Sequence, residues 1–219
     1  MPTFHFKLTL LSEATFGRGD GVAGLVDTEI EHDERGFPYL HGRGVKGLFT
    51  AQCADILGAL QSSPAHDKLE QAADILFGKG GSDLHANGKL HFGTARLPKN
   101  LCDAISAIDE KKLSRHDVLE ALTTIRRQTK INDDGAAEEN TLRATRVLVS
   151  GLIFESEITA ECPLEEVELA LLAACAEAIR SVGSNRARGL GRVRAELMDE
   201  AGNDVTAQGM TQFAREVLA

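Results

Sequence analysis

Two short segments concentrate glycine beside cationic side chains. Gly42-Arg43-Gly44-Val45-Lys46-Gly47 places bare backbone and two cations just ahead of an apolar stripe at helical spacing. Unpaired N–H groups and the dipole at such a helix start favour a phosphate. The second segment, Gly183 to Arg194, carries Arg186, Arg188, Arg192 and Arg194 with no acidic residue. Gly189 and Gly191 allow close approach there, and guanidiniums make paired contacts to phosphate, a combination suited to a polyanion's backbone more than to bases. Each segment also has a plainer reading, as a loop that lets a helix pack closely and as a basic turn that balances nearby carboxylates.

The whole chain narrows these options. With 24 Lys and Arg against 33 Asp and Glu, the net charge is −9 over 219 residues. Indiscriminate attraction to nucleic acid is therefore excluded, because it rests on phosphate neutralisation, and any basic groove must be local. There is no Trp, one Tyr (Tyr39) and nine Phe, so surfaces for stacking bases are few. Composition is that of an ordinary globular protein, 42% hydrophobic and 26% charged. The longest apolar run, Leu169 to Ala176, is far short of the ~20 residues that span a bilayer. The N-terminus alternates instead of forming a signal segment, and a soluble, cytoplasmic chain with no membrane partner is expected. Cys53, Cys102, Cys162 and Cys175 are widely separated, without zinc-ligand spacing, and read as small core residues.

Two matches to G-x-G-x-x-G, at 19–24 and 42–47, raise dinucleotide binding. That fingerprint needs a buried strand immediately before it and a carboxylate near the end of the next strand, whereas Gly42 follows Gly36-Phe-Pro-Tyr-Leu-His and the helix after it leads into another helix. No phosphate loop of the Walker type is present.

Positioning these segments requires a scaffold, and the hydrophobic pattern supplies one. Phe4, Phe6, Leu8 and Leu10 alternate with Thr3, His5, Lys7 and Thr9, the period of a half-buried strand. Val45 to Leu60 and Ala65 to Leu76 read as helices, the second with Gly80-Gly81 behind it as a stop, and Lys89 to Leu97 as a strand. Leu101 to Ile108 and Ser114 to Arg126 read as short helices, the latter with Ser114 and Asp117 in a weak capping box. Gln128 to Asn140 is expected to be a mobile polar loop. Val147 to Ala160 is extended, Leu164 to Val182 is helical with Gly183 as the residue past its end, and Val193 to Met198 is a strand. A last helix spans Val205 to Leu218. The order is a split βαβ, an α+β, ferredoxin-like (RRM-like) arrangement with insertions and no linker between domains.

The two glycine segments on this scaffold resemble the RAMP superfamily, and most of all the backbone subunit of type III CRISPR–Cas effector complexes. The resemblance rests on Pro38-Tyr-Leu-His-Gly-Arg-Gly-Val-Lys-Gly47, similar to the family's Pro-Tyr-Ile-Pro-Gly-Ser-Ser-Leu-Lys-Gly. It continues in Leu76-Phe-Gly78, Gly88-Lys-Leu-His-Phe92 and the terminal Gly-Leu-Gly-Arg192. It implies a single RAMP domain over 1–219, with a core at about 2–11, 43–60, 88–97 and 147–198. Insertions at about 12–42 and 98–146 and an extension at 199–219 complete it. His41, Arg43, Gly44 and Val45 depart from the family's Pro, Ser, Ser and Leu, and Arg43 is placed to take over the serines' contact.

The resemblance further implies that copies of the chain, or related RAMP subunits, stack along a guide RNA beside large and small effector subunits. Gly42, Arg43, Gly44, Lys46, Arg186, Arg188, Gly189, Gly191 and Arg192 would grip the guide. A thumb hairpin carrying Arg126, Arg127, Lys130, Arg143 and Arg146 would push between bases of the guide–target duplex. Asp27 and Asp33 fall on the family's Asp-x-x-x-x-x-Asp, which makes Asp27 the candidate for cutting target RNA, as general base or as a ligand of Mg²⁺ or another divalent metal. A plainer reading leaves Asp27, Glu29, Glu31 and Asp33 as the wet face of an extended segment. A scaffold without catalysis and a nucleotide-binding enzyme are the rival functions. His32 and His41 invite comparison with a histidine-based guide-processing nuclease, but that class is usually built from two ferredoxin-like halves and this chain has room for only one plus insertions.

Overall fold

An alternating strand with four apolar residues on one face needs partners on both edges, and β1 (Thr3–Leu10) has them. It pairs antiparallel with β7 (Ile153–Ala160) and with β8 (Val193–Met198), in registers that set Leu8 opposite Phe154 and Ala195. The structure, a computed structural model, describes residues 1–79, 87–109, 111–135, 138 and 140–218. Gly80 and Gly81 lie outside the described residues. β2 (Tyr39–Leu40) and β4 (Ala95–Arg96) extend the antiparallel sheet to the order β2-β4-β7-β1-β8, and β3 (Leu90–Phe92) also pairs with β7.

Phe4, Phe6, Leu8 and Leu10 are buried and face the helices, while His5, Lys7 and Thr9 take the other face. Helix α1 (Gly42–Ala59) contributes Val45, Phe49 and Cys53 to the core, and α2 (His66–Phe77) adds Leu69, Ala72 and Leu76. Phe49 meets Phe6 edge to face with ring centroids 5.0 Å apart. Helix α5 (Glu166–Ala178) is buried through Ala170–Ala176, wedged among α1, α2, β8 and the last helix, α6 (Val205–Leu218). An all-round apolar helix is what such a central position demands. Among the described residues no helix is long and apolar enough to cross a membrane.

Several boundaries differ from the sequence pattern. Helix α1 begins at Gly42 instead of after Gly44, so the glycine segment is the helix's own first turn. Two short helices, α3 (Lys99–Ser106) and α4 (Arg115–Leu122), follow β4, and α4 opens on the expected Ser114–Asp117 capping box. It stops four residues earlier than expected, because the β-branched run Thr123-Thr124-Ile125 suits a strand. That strand, β5 (Thr123–Gln128), pairs with β6 (Arg143–Leu148) in a two-stranded hairpin, so Arg126 and Arg127 are strand residues and the expected loop is only its tip. Helix α5 ends at Ala178 instead of Val182, since the chain beyond it bonds to the approach to β8: Val182 N–H donates to the Gly191 carbonyl and Val193 N–H to that of Arg180. Lys89 to Leu97 breaks into β3 and β4 at Gly93, whose carbonyl accepts from Ser156 Oγ at 2.7 Å. All four cysteines are free, and Cys162 is exposed, outside the core expected for it.

Phe49→Ala empties a fully buried site between α1 and the sheet. It is expected to cost about 3–5 kcal/mol, seen in urea titration as a lower midpoint with an unchanged slope.

Candidate nucleic-acid interface

Helix α1 begins without the usual polar cap. His41 at the N-cap makes no side-chain hydrogen bond to the first turn, and that turn holds no acidic residue. The Gly44 and Val45 N–H groups donate to the His41 carbonyl at 2.8 and 3.0 Å, and the positive end of the dipole carries no side-chain counter-charge. Gly42 is needed where α1 docks, because a Cβ there would collide with the Phe92 carbonyl oxygen. Arg43 is exposed and Lys46 half-buried, and among the described residues neither has a carboxylate partner.

This helix start opens onto a groove of about 420 Å³, lined on one side by His41, Arg43 and Gly44 and on the other by Gly183 and Ser184, with Thr15 to Arg18 as its floor. The two glycine segments, 140 positions apart in the chain, therefore face each other. Thr15 is fully buried and its Oγ1 finds no hydrogen-bond partner. Such a buried hydroxyl is costly to leave without a partner. Glu31 also lines the groove, but it is engaged by the Tyr39 hydroxyl at 3.3 Å and by His41 Nε2 at 3.5 Å. Burial and the neighbouring Glu31 raise the Tyr39 phenol above its ordinary pKa, which keeps it a donor.

The second segment is held rigidly. Arg186–Arg188 form a single 3₁₀ turn between Asn185 and Gly189, both left-handed, and Arg186 and Arg188 project into solvent. Gly191 has φ +74°, and any Cβ would strike the Val182 carbonyl oxygen. Its N–H donates to the Glu13 carbonyl at 2.6 Å, and Arg192 N–H donates to Ser12 Oγ at 2.9 Å. Gly42 and Gly191 thus serve close backbone packing, whereas Gly189 is exposed with open space around it. Arg188 donates to Gln128 Oε1 at 2.9 Å, tying this loop to the hairpin. Arg186 and Arg192 have no carboxylate partner among the described residues.

The hairpin cations divide into two groups. Arg126 pairs with Glu13 at 3.3 Å, Lys130 with Glu138 at 2.8 Å and Arg143 with Asp27 at 3.9 Å, all at exposed positions. Such pairs are worth about 0–1 kcal/mol and exchange readily for a phosphate. Arg127 is exposed with no carboxylate partner among the described residues. Arg146 departs from the surface set expected of it. It is 4% exposed, its Nε lies 2.9 and 3.1 Å from the two oxygens of buried Glu29, and Nη1 donates to Thr123 Oγ1 at 3.1 Å. Its charge is used inside the protein.

This pair also corrects the wet-face reading of the acidic segment. Glu29 is 2% exposed, and Asp33 Oδ1 accepts the N–H groups of Arg35 and Phe37, each at 3.0 Å. Asp27 is the open member, its side chain 47% exposed. Asp27 N–H donates to the Ala144 carbonyl, and Ala144 N–H donates to Asp27 Oδ2, both at 2.7 Å. With Arg146 N–H donating to the Thr28 carbonyl at 3.0 Å, the Asp27 loop is stitched onto β6. Asp27 Oδ1 faces outward near Arg143. Among the described residues no group of three or more His, Cys, Asp and Glu is placed to hold a metal. Mg²⁺ commonly uses one or two carboxylates plus substrate phosphates, and the donor set around Asp27 fits that mode.

The loop at 19–24 leads into irregular extended chain, not a helix, and among the described residues every sheet ladder is antiparallel. A dinucleotide site needs a parallel βαβ unit, so the nucleotide-binding alternative has no scaffold here. Sequence reasoning passed over Thr15 and Ser184, whose only signal was adjacency to flagged segments.

An antiparallel α/β sheet with helices on one face, joined to a basic hairpin, is the class of protein these elements define. The RAMP superfamily profile matches residues 7–194, and the chain belongs to that superfamily. No curated protein matches it. Two solved structures share its fold: a chain of the type III-B Cmr-beta complex in the apo state, at 13% identity and TM-score 0.62, and one of the type III-B Cmr-beta complex bound to cognate target RNA, at 14% and 0.63. Each comparison covers 89% of this chain and 96% of the other.

Arg146→Met strands a buried Glu29 carboxylate and is expected to cost roughly 3–5 kcal/mol. Hydrogen exchange should show β5, β6 and the Asp27 loop losing protection together, with most of it regained in Glu29→Leu/Arg146→Met.

Proposed function

We propose that this protein is a subunit of a type III CRISPR effector complex that grips guide RNA by its backbone. The observation that carries this reading is the groove between the two glycine segments. An uncapped helix start, an orphaned Thr15 hydroxyl and the unpaired Arg43 border one groove, and the exposed Arg186 and Arg192 follow Gly183 and Ser184 of its far wall in sequence, in a chain whose net charge is −9. Phosphate-directed cations with few aromatics suit backbone gripping, whereas RNA-recognition sheets stack bases on aromatic residues. The strand order β8-β1-β7-β3 with α1 and α5 as crossovers supports a ferredoxin-like core. The β5–β6 hairpin is read as the thumb, with Arg127, Arg126, Arg143 and Lys130 toward a guide–target duplex. Partners under this reading are guide RNA, complementary target RNA, further RAMP subunits in a non-closing stack, and the complex's large and small subunits in the cytoplasm.

Cleavage of target RNA by Asp27 completes the reading. A ribose 2′-oxygen attacks the adjacent phosphorus and the bond from phosphorus to the 5′-oxygen breaks, giving a 2′,3′-cyclic phosphate and a 5′-hydroxyl that takes its proton from water. The 2′ proton goes to Asp27 Oδ1 or, where Asp27 would instead ligate a divalent ion, to solvent. Such an ion, Mg²⁺ for example, supplies charge neutralisation at the phosphate when bound. Ala144 N–H holds Oδ2 and so aims Oδ1 outward. The same hydrogen bond favours a second reading, a binding scaffold in which Asp27 only fastens its loop to the hairpin.

Asp27→Asn separates the two, since an amide oxygen still accepts from Ala144 while the charge is gone. In the reconstituted complex with Mg²⁺, guide-complementary RNA should remain uncut by Asp27→Asn with assembly intact, and persistent cuts would assign the protein to the scaffold role. Arg43→Ala and Arg186→Ala should each weaken guide binding and lower the slope of log affinity against log salt by about 1.

A further inference from the structure

We propose that Arg96, Arg115 and His32 form a second anion pocket, next to the groove, that binds a phosphate group of RNA. The proposal rests on the reading of the groove as an RNA channel and extends it to residues outside both glycine segments. A depression of about 480 Å³ is lined by Arg18, Arg96 and Arg115, by His32, Tyr39 and His41, and by the two carboxylates of Asp33 and Glu34. Arg18 and His41 also line the groove, so the two spaces adjoin.

Charge accounting shows which cations are uncommitted. Arg18 is held by Asp20 at 2.6 Å. Asp33 spends one oxygen on two backbone N–H groups, and the other lies 3.9 Å from Arg96 Nη1. The Arg96 guanidinium sits over the Tyr39 ring, 5.1 Å from its centroid, a contact that orients the cation without neutralising it. Arg115 has no carboxylate partner among the described residues. Its Nη2 lies 3.5 Å from the His32 ring nitrogens. His32 Nδ1 also lies 3.1 Å from the Asp33 carbonyl oxygen, and the ring so placed borders the Arg115 guanidinium.

Arg115 also occupies an unfavourable position for the fold. It is the first residue of α4, where the helix dipole disfavours a cation. The Ser114–Asp117 capping box fixes that first turn, and α4 packs directly on the backbone of Gly36, so the guanidinium is presented from a rigid base. Local rules broken without a packing gain mark sites kept for binding. Two oriented guanidiniums offer the paired donors that match a phosphate's oxygens.

The test is fluorescence anisotropy with the full chain, using a short RNA that fills the groove alone and a longer one that reaches the pocket, across a salt series. Arg115→Gln should weaken the longer RNA by about tenfold and lower its salt slope by about 1, and leave the short RNA unchanged. Arg115→Lys, which keeps the charge, should retain the slope, and equal thermal midpoints would show that both variants are folded. An unchanged affinity for the longer RNA, or equal losses for both lengths, would overturn the pocket. So would stabilisation by AMP that disappears in Arg115→Gln while the longer RNA binds normally, because the ligand would then be a free nucleotide. Failure of the groove itself is read separately, from Arg43→Ala leaving both RNAs unaffected.

Discussion

The pairing of β1 between β7 and β8 is the constraint from which the rest of the molecule follows. Four apolar side chains on one face of an eight-residue strand commit that face to α1, α2 and α5. A one-residue slip would turn all of them to solvent. Antiparallel register then brings the chain leaving β1 beside the chain entering β8, because Leu10 lies opposite Val193. Residues 11–18 and 183–192 must therefore adjoin, and the hydrogen bonds of Ser12, Glu13 and Thr15 to that second stretch lock them together.

The charge distribution becomes intelligible on this frame. Lys89 and Arg146 spend their charge inward, on the buried carboxylates of Glu168 and Glu29. Each pair is dear to break once built, since the remaining partner would be left charged and dry. Arg43, Arg186 and Arg192 stand outward, on segments in which Gly42, Gly183 and Gly191 pack too closely for any side chain of their own. Glycine and arginine thus divide the labour within one segment: the first brings backbones together and the second supplies the field.

Hairpin and acidic loop behave as one body for a related reason. Thr28 adds to β6 as a short parallel bridge, and the Glu29–Arg146 pair seals the join from inside. Any force that moves the hairpin moves Asp27 with it, because the two share these bonds. The second glycine segment is tied to the same body through Arg188 and Gln128.

Much of this was legible in the linear chain. β1, β8, α2 and α6 follow from periodicity, the capping box of α4 from Ser114 and Asp117, and membership of the RAMP superfamily from the glycine segments and their neighbours. These features are local: they depend on residues within one or two turns of each other, where side-chain period and backbone preference dominate. Tertiary structure decided the rest. The end of α5 was set by pairing with the approach to β8, and β5 was chosen over helix by its partner β6. Whether an ionisable residue faces water or the interior was settled by partners as far apart as Glu29 and Arg146. No window of sequence contains such a pair, because the energy that buries a charge comes from the opposite charge and from the dry space around both, and only the folded chain creates that space.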